Sequence, residues 1–133
     1  MSFVVLDTDV ASAVFRGRTS GQLNARLAGH SLAITFVTVA ELTKWTLVRQ
    51  WGPQRLADMQ SFLANVVALP YGDTVATTWG HMQARAQLRG RPRPANDTWI
   101  AACCLARALP LATLNLKDFA DFAEHDGLNV IPG

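Results

Sequence analysis

Cysteine and histidine are scarce in this chain of 133 residues, and long apolar runs are missing. The two cysteines, Cys103 and Cys104, are adjacent in a helix-like segment where neighbouring side chains diverge by about 100°. That rules out a disulfide framework and makes buried thiols the expectation. The three histidines, His30, His81 and His125, follow no ligand spacing, which excludes a zinc site built from Cys and His. No apolar stretch approaches the roughly 18 residues needed to span a bilayer. The start has neither the basic segment nor the cleavage site of a signal peptide, so a cytoplasmic protein without membrane contact is expected. Repeats, low-complexity tracts and linkers are missing too. The length suits one compact domain over residues 1–133, with half of the residues apolar to fill its core.

A net charge of +2 is small, but the charge is unevenly placed. Arg85, Arg89, Arg91 and Arg93 form a basic run interrupted by prolines, whereas Asp118, Asp121, Glu124 and Asp126 make the tail acidic. A basic rim around an acidic centre suits a protein that attracts phosphate while holding metal.

Short apolar runs at Phe3 to Leu6, Leu32 to Phe36, Val66 to Leu69, Leu111 to Thr113 and Leu128 to Ile131 read as strands. Helical patterns fill the spaces: Ser20 to Ala28, Thr38 to Gln50, a helix opened by Pro53 with Leu56, Met59, Phe62 and Leu63 on its apolar face, Asp73 to Leu88 closed by Gly90, and Asp97 to Leu109. Alternating strands and helices predict a three-layer α/β/α domain with a mainly parallel sheet of about five short strands. Such sheets place their sites at the carboxyl ends of the strands.

Acids sit where those ends are expected. Asp7 follows the run Phe3-Val4-Val5-Leu6 directly, Glu41 follows the second strand, Asp97 opens a helix, and Asp118 follows the fourth strand. Four convergent carboxylates in a water-poor cleft need a neutralising cation, and oxygen-only donors favour a hard divalent ion. Each acid also has a plainer use. Asp9 fits a cap on the helix after the first strand, with Asp7 accepting from nearby backbone donors; Thr38 with Glu41 fits a capping box; Asp97 fits a cap; Asn115 with Asp118 repeats the same pattern. Thr8 and Thr113 carry hydroxyls that suit either orienting the acids or turn hydrogen bonding. Arg85, Arg89, Arg91 and Arg93 precede Asp97 closely enough to hold phosphates beside it, Arg91 and Arg93 best of all. The helix end gives Arg85 and Arg89 an alternative role against its dipole.

Four blocks together resemble the PIN-domain nucleases, and within them the VapC-type toxins of type II toxin–antitoxin pairs: Val5-Leu6-Asp7-Thr8, Val39-Ala40-Glu41-Leu42, Asn96-Asp97-Thr98-Trp99-Ile100-Ala101-Ala102, and Ala112-Thr113-Leu114-Asn115-Leu116-Lys117-Asp118-Phe119. The resemblance implies an endoribonuclease that needs Mg²⁺ or Mn²⁺, with Asp7, Glu41, Asp97 and Asp118 as the acidic set. Asp7 and Asp97 are then the metal ligands, Glu41 and Asp118 position water or a second ion, and the products carry a 5′-phosphate and a 3′-hydroxyl. It also implies a homodimer silenced by a VapB-type antitoxin, with Trp45 and Trp51 lining a groove for an antitoxin segment. Two positions depart from the family pattern: Asp9 stands where many relatives have Asn or Ser, and Asn115 where they often have Asp. Asp118 is taken as the fourth acid and Asn115 as its hydrogen-bonding neighbour.

The run Phe3-Val4-Val5-Leu6-Asp7-Thr8-Asp9-Val10 also resembles the first motif of haloacid-dehalogenase-type phosphatases, with Asp7 as nucleophile. The chain has only Lys44 and Lys117 for that family's lysine, and Gly72-Asp73 lacks the following acid. A catalytically silent module that keeps the fold for binding is the third reading.

Overall fold

The computed structural model describes residues 2–133. Strand β1 (Phe3–Leu6) leads into α1 (Thr8–Arg16) and α2 (Gly21–Leu27), and β2 (Ser31–Thr35) into α3 (Phe36–Val48) and α4 (Pro53–Asn65). Strand β3 (Val67–Leu69) leads into α5 (Asp73–Leu88) and α6 (Ala95–Ala106), β4 (Leu111–Thr113) into α7 (Leu116–Asp126), and β5 (Val130–Pro132) closes the sheet. The strand order is β3-β2-β1-β4-β5 and every pairing is parallel, with Val5 opposite both Ala33 and Leu111.

Alternation along the strands divides the core into two halves. Val4, Leu6, Ile34 and Ala112 pack with Val10 and Ala11 of α1, Leu23 and Leu27 of α2, and Met59 of α4. Val5, Ala33 and Leu111 point the other way, onto Val75 and Met82 of α5, Ile100 to Cys104 of α6, and Phe119 and Phe122 of α7. Helix α3 serves both, through Leu42 on one side and Val37 on the other. The expected three layers are therefore present, and strands buried on both faces explain the continuous apolar runs. Each fully buried leucine or isoleucine in them contributes about 2–3 kcal/mol. Both thiols are buried and burial pushes both up, which leaves them as small apolar groups. No helix among the described residues is long and apolar enough to cross a membrane.

Several element ends differ from the sequence expectation. Phe36 is the first residue of α3, because Thr35 is its N-cap and accepts the Thr38 N–H. Thr38 and Glu41 therefore lie inside the helix and form no capping box. Helix α6 begins at Ala95 with Pro94 as its N-cap, so Asp97 sits in the first turn and does not cap. Strand β5 starts two residues later and ends one residue later than expected, and the buried Leu128 belongs to the irregular segment before it. The chain closes α1 with Gly17 at φ 66°, a left-handed conformation that a side chain disfavours.

Candidate active site

Strands β1 and β4 are neighbours in the sheet, yet their following helices leave on opposite faces, α1 to one and α7 to the other. That divergence opens a crevice at their carboxyl ends, where parallel α/β sheets bind ligands. A cleft of about 210 Å³ lies there, lined by Asp7, Asp9, Glu41, Asp97, Asn115 and Asp118 among others.

Asp7 is the deepest of these, only 3% exposed. Its Oδ1 accepts the Val10 N–H at 2.8 Å, which makes Asp7 the N-cap of α1, and its Oδ2 accepts the Thr113 hydroxyl at 2.6 Å. Burial raises its pKa from 3.8 to about 6; the hydrogen bonds from Thr113 and Val10 restrain that rise, while the charges of Asp9 and Asp97 add to it. The cap expected of Asp9 thus belongs to Asp7. Asp9 lies in the first turn of α1, and its Oδ2 accepts the side-chain amide of Asn115. Asn115 in turn donates its backbone N–H to the Thr113 hydroxyl at 2.9 Å. The chain Asp7–Thr113–Asn115–Asp9 ties the end of β1 to the end of β4. Asn115 precedes α7 but makes no side-chain cap; its side-chain N–H₂ donates to Asp9 instead.

Glu41 reaches the cleft from the second turn of α3, where its Oε1 accepts the Thr8 hydroxyl at 2.7 Å; Thr8 also lies 3.0 Å from the Thr38 hydroxyl. Asp97 faces it from α6. Burial pushes the Asp97 carboxyl up, the charges of Asp118, Glu41 and Asp9 push it further, and Arg93 alone opposes them. Asp118 is exposed on the first turn of α7, with its N–H bonded to the Asn115 carbonyl at 3.0 Å. All four acids of the expected set therefore line one cleft, joined by Asp9, Thr8 and Asn115.

The arginines separate into two groups. Arg85 pairs with Asp126 at 2.8 Å and Arg89 with Asp121, so both are spent on fastening α5 to α7. Arg93 donates to the Asp118 carbonyl at 3.3 Å beside the cleft, and Arg91 is exposed near it with Lys117. On the opposite rim, Arg16 and Arg49 place their guanidinium groups over the Trp45 ring, 5.7 and 5.2 Å from its centroid. The sequence expectation did not include this rim. The spacing of four between Trp45 and Arg49, the residue that caps the end of α3, was the available signal; Arg16 arrives only through tertiary packing.

Oxygen-only donors that repel one another are a fitting shell for a hard divalent cation. Among the described residues no three His, Cys, Asp or Glu side chains are already arranged as a cage. Magnesium does not require one, because it keeps several of its waters and is held by one or two carboxylates.

Comparison with known proteins agrees with this geometry. Residues 4–125 match the family model described as PIN domain. The chain is 38% identical over 126 residues to ribonuclease VapC5 of Mycobacterium tuberculosis, covering 92% of this chain and 87% of that protein. It superposes on a VapBC-5 toxin–antitoxin structure from the same organism with a TM-score of 0.74 and 32% identity over the whole of both chains. With VapBC-1 of nontypeable Haemophilus influenzae the TM-score is 0.84 at 24% identity, covering 98% and 97% of the two chains, a likeness of fold. A family model spanning nearly the whole chain, a close relative of matching length and an acid-lined cleft at the β1–β4 switch lead to one conclusion: the chain belongs to the PIN-domain family, in its VapC branch.

Proposed function

We propose that this protein is a metal-dependent endoribonuclease, the toxin of a VapBC-type pair, and that it cuts RNA in the cleft lined by Asp7, Glu41, Asp97 and Asp118. The observation that carries this reading is the concentration of carboxylates at the switch between β1 and β4, where Asp7 and Asp97 are both pushed upward by burial and by neighbouring acids. A protein that held no cation there would gain by losing at least one of those charges. The named ribonuclease activity of the VapC5 relative supports the same reading.

Asp7 and Asp97 are the residues suited to hold Mg²⁺ or Mn²⁺. When bound, such an ion supplies Lewis acidity toward a phosphoryl oxygen and toward water. The protein's own groups prepare the site around it. Thr113 and the Val10 N–H fix the Asp7 carboxylate in one orientation, and Thr8 does the same for Glu41. Asp118 brings a further carboxylate from the solvent side, with Asn115 anchoring the start of the helix that carries it. Arg93, with Arg91, offers donors to the substrate backbone next to Asp97. Arg85 and Arg89 give that role up to their ion pairs.

The VapBC-5 relative belongs to a toxin–antitoxin system, and on that basis we extend a cognate VapB-type antitoxin to this protein; a homodimer and a cytoplasmic setting are what the resemblance to VapC-type toxins implies. The phosphatase reading is set aside, since it needs a lysine beside the nucleophile, whereas neither Lys44 nor Lys117 lines the cleft that holds Asp7. The test is cleavage of RNA by the purified protein with Mn²⁺, compared with Asp97→Asn. The expected outcome is 5′-phosphate and 3′-hydroxyl ends from the parent and at least a hundredfold loss in the variant, on the order of what a metal ligand contributes. Cyclic 2′,3′-phosphate ends, or an Asp97→Asn protein as active as the parent, refute the proposal. Equal activity of the two would also restore the silent-module reading.

A further inference from the structure

We infer that Arg16 and Arg49, seated on Trp45, form a second backbone-binding subsite for single-stranded RNA on the α1–α3 side of the cleft, opposite Arg91 and Arg93. The inference rests on the ribonuclease reading above and extends it to the path of the substrate.

Three observations carry it. The first is continuity. A groove of about 270 Å³ is lined by Thr8, Asp9 and Glu41, which also line the acidic cleft, and runs from them to Arg16, Trp45 and Arg49. A strand lying in the cleft therefore meets these arginines on leaving it. The second is that both charges are free. Neither Arg16 nor Arg49 has a carboxylate partner among the described residues, whereas Arg85 and Arg89 are both paired. Arg16 spends one N–H, its Nε–H, on the Ser12 carbonyl at 3.4 Å. The third is preorganisation. A guanidinium lying over an aromatic ring uses its flat face for the ring and leaves its N–H edge to bind an anion. Trp45 is itself fixed edge-on against Trp51, with ring centroids 4.8 Å apart, so the support is rigid. Two guanidinium groups on one ring, both exposed and both next to the acids, present the paired N–H fork that phosphates select. Trp45 is then a positioning residue, and Arg16 and Arg49 are the phosphate contacts.

With this subsite the acidic cleft lies between two cationic banks. Arg93, bonded to the Asp118 carbonyl, flanks it on the α7 side, with Arg91 and Lys117 sharing a groove with Arg93, and Arg16 with Arg49 flank it on the α1–α3 side. Attraction from both sides offsets the repulsion that the carboxylates exert on an approaching polyanion.

The test uses the intact protein, a 5′-fluorescein-labelled single-stranded RNA of twenty mixed-sequence nucleotides, and anisotropy in EDTA so that no cutting intervenes. The proteins are the parent, Arg16→Ala/Arg49→Ala, and Arg16→Lys/Arg49→Lys. The alanine pair is expected to weaken binding about tenfold or more at low salt and to reduce the slope of log affinity against log salt by about 1.4, two contacts at about 0.7 each for a single strand. The lysine pair keeps the charge and loses the fork, and should recover the slope but only part of the affinity. In a cleavage assay with Mn²⁺, the alanine pair should raise KM with kcat within twofold. An alanine pair that binds the RNA as the parent does, with an unchanged salt slope, overturns the inference. So does retained RNA binding combined with lost binding of a labelled ten-glutamate peptide, which assigns the groove to an acidic protein segment. A parent that binds the RNA but cuts none with any metal refutes the ribonuclease reading and leaves the subsite to be judged on binding alone.

Discussion

Replacing Asp7 by asparagine is expected to stabilise the metal-free protein at neutral pH while it ends RNA cleavage. The substituted amide keeps an oxygen for the Val10 N–H and an N–H₂ that can donate to the Thr113 hydroxyl, so the geometry of the cap survives. What is removed is a buried charge. An acid whose pKa is higher in the folded state binds more protons folded than unfolded across the interval between the two values, so stability falls as pH rises through it. For Asp7 that interval runs from 3.8 to about 6. At about 1.4 kcal/mol per pH unit the loss amounts to about 3 kcal/mol, complete above pH 6 to 7 and gone near pH 4. Asp7 is almost wholly buried, so solvent screening does little to diminish it. Urea unfolding of parent and Asp7→Asn in EDTA, from pH 4 to pH 8, measures the difference directly. With a urea slope of about 1–3 kcal/mol per M, the midpoints should coincide near pH 4 and separate by about 1–3 M at pH 8, the variant being the more stable. Mn²⁺ should then raise the parent's midpoint and leave the variant's where it was. A variant no more stable than the parent at pH 7 to 8 in EDTA refutes the claim that this carboxylate is held at a cost for the sake of a cation.

Thr113→Val removes the hydroxyl that restrains the Asp7 pKa, and should move that carboxyl further above its present value of about 6 in a ¹³C NMR titration; an unchanged or lower value contradicts the assigned hydrogen bond. Arg89→Ala strands Asp121, whose side chain is 9% exposed, and should cost about 1–2 kcal/mol in chemical denaturation. Burial pushes the Asp121 carboxyl up, but Arg89 beside it more than compensates, so its net shift is downward. The stabilisation is therefore present above the ordinary carboxylate value and is lost as pH falls below it, so the Arg89→Ala penalty should shrink in acid. A penalty that persists in acid points to lost packing by the arginine stem instead.

The central strands were legible because they are buried on both faces and read as unbroken apolar runs, as in Phe3 to Leu6 and Leu111 to Thr113, whereas the edge strands β3 and β5 are exposed or half-buried. Their ends were less so, since ends depend on which side chain captures an orphan N–H. Phe36 continues the apolar run of β2 in sequence, and only the Thr35 hydroxyl decides that the helix begins there. Asp7, Asp97 and Asp118 could be read because each sits at a strand end or in the first turn of a helix, whereas Glu41 lies inside α3 and was read only as an acid following the second strand. The cations could not. Arg85, Arg89, Arg91 and Arg93 look alike along the chain, yet two are neutralised by Asp126 and Asp121, partners 41 and 32 residues away. Arg16 closes α1 and Arg49 follows the end of α3, and the two meet only because α1 packs beside α3 on Trp45.

Capping and catalysis competed for the same acids in the sequence, and the fold separates the two duties residue by residue. Thr35 caps α3, which leaves Glu41 free to face the cleft from the helix interior. Proline and alanine open α6, so Asp97 is spared from binding the backbone and its carboxyl is governed by burial and by other acids. Asn115 gives its amide to Asp9 and leaves the start of α7 without a side-chain cap, beside an exposed Asp118. Asp7 alone of the four performs both duties, one oxygen on the Val10 N–H and the other on Thr113. The first of those bonds fixes where α1 begins, and the second ties it to β4 across the crevice. A substitution at Asp7 therefore reports on fold and chemistry together, whereas one at Asp97 changes the charge in the cleft and breaks no cap. This difference is why Asp97→Asn is the cleaner test of function and Asp7→Asn the cleaner test of what the acidic cleft costs the fold.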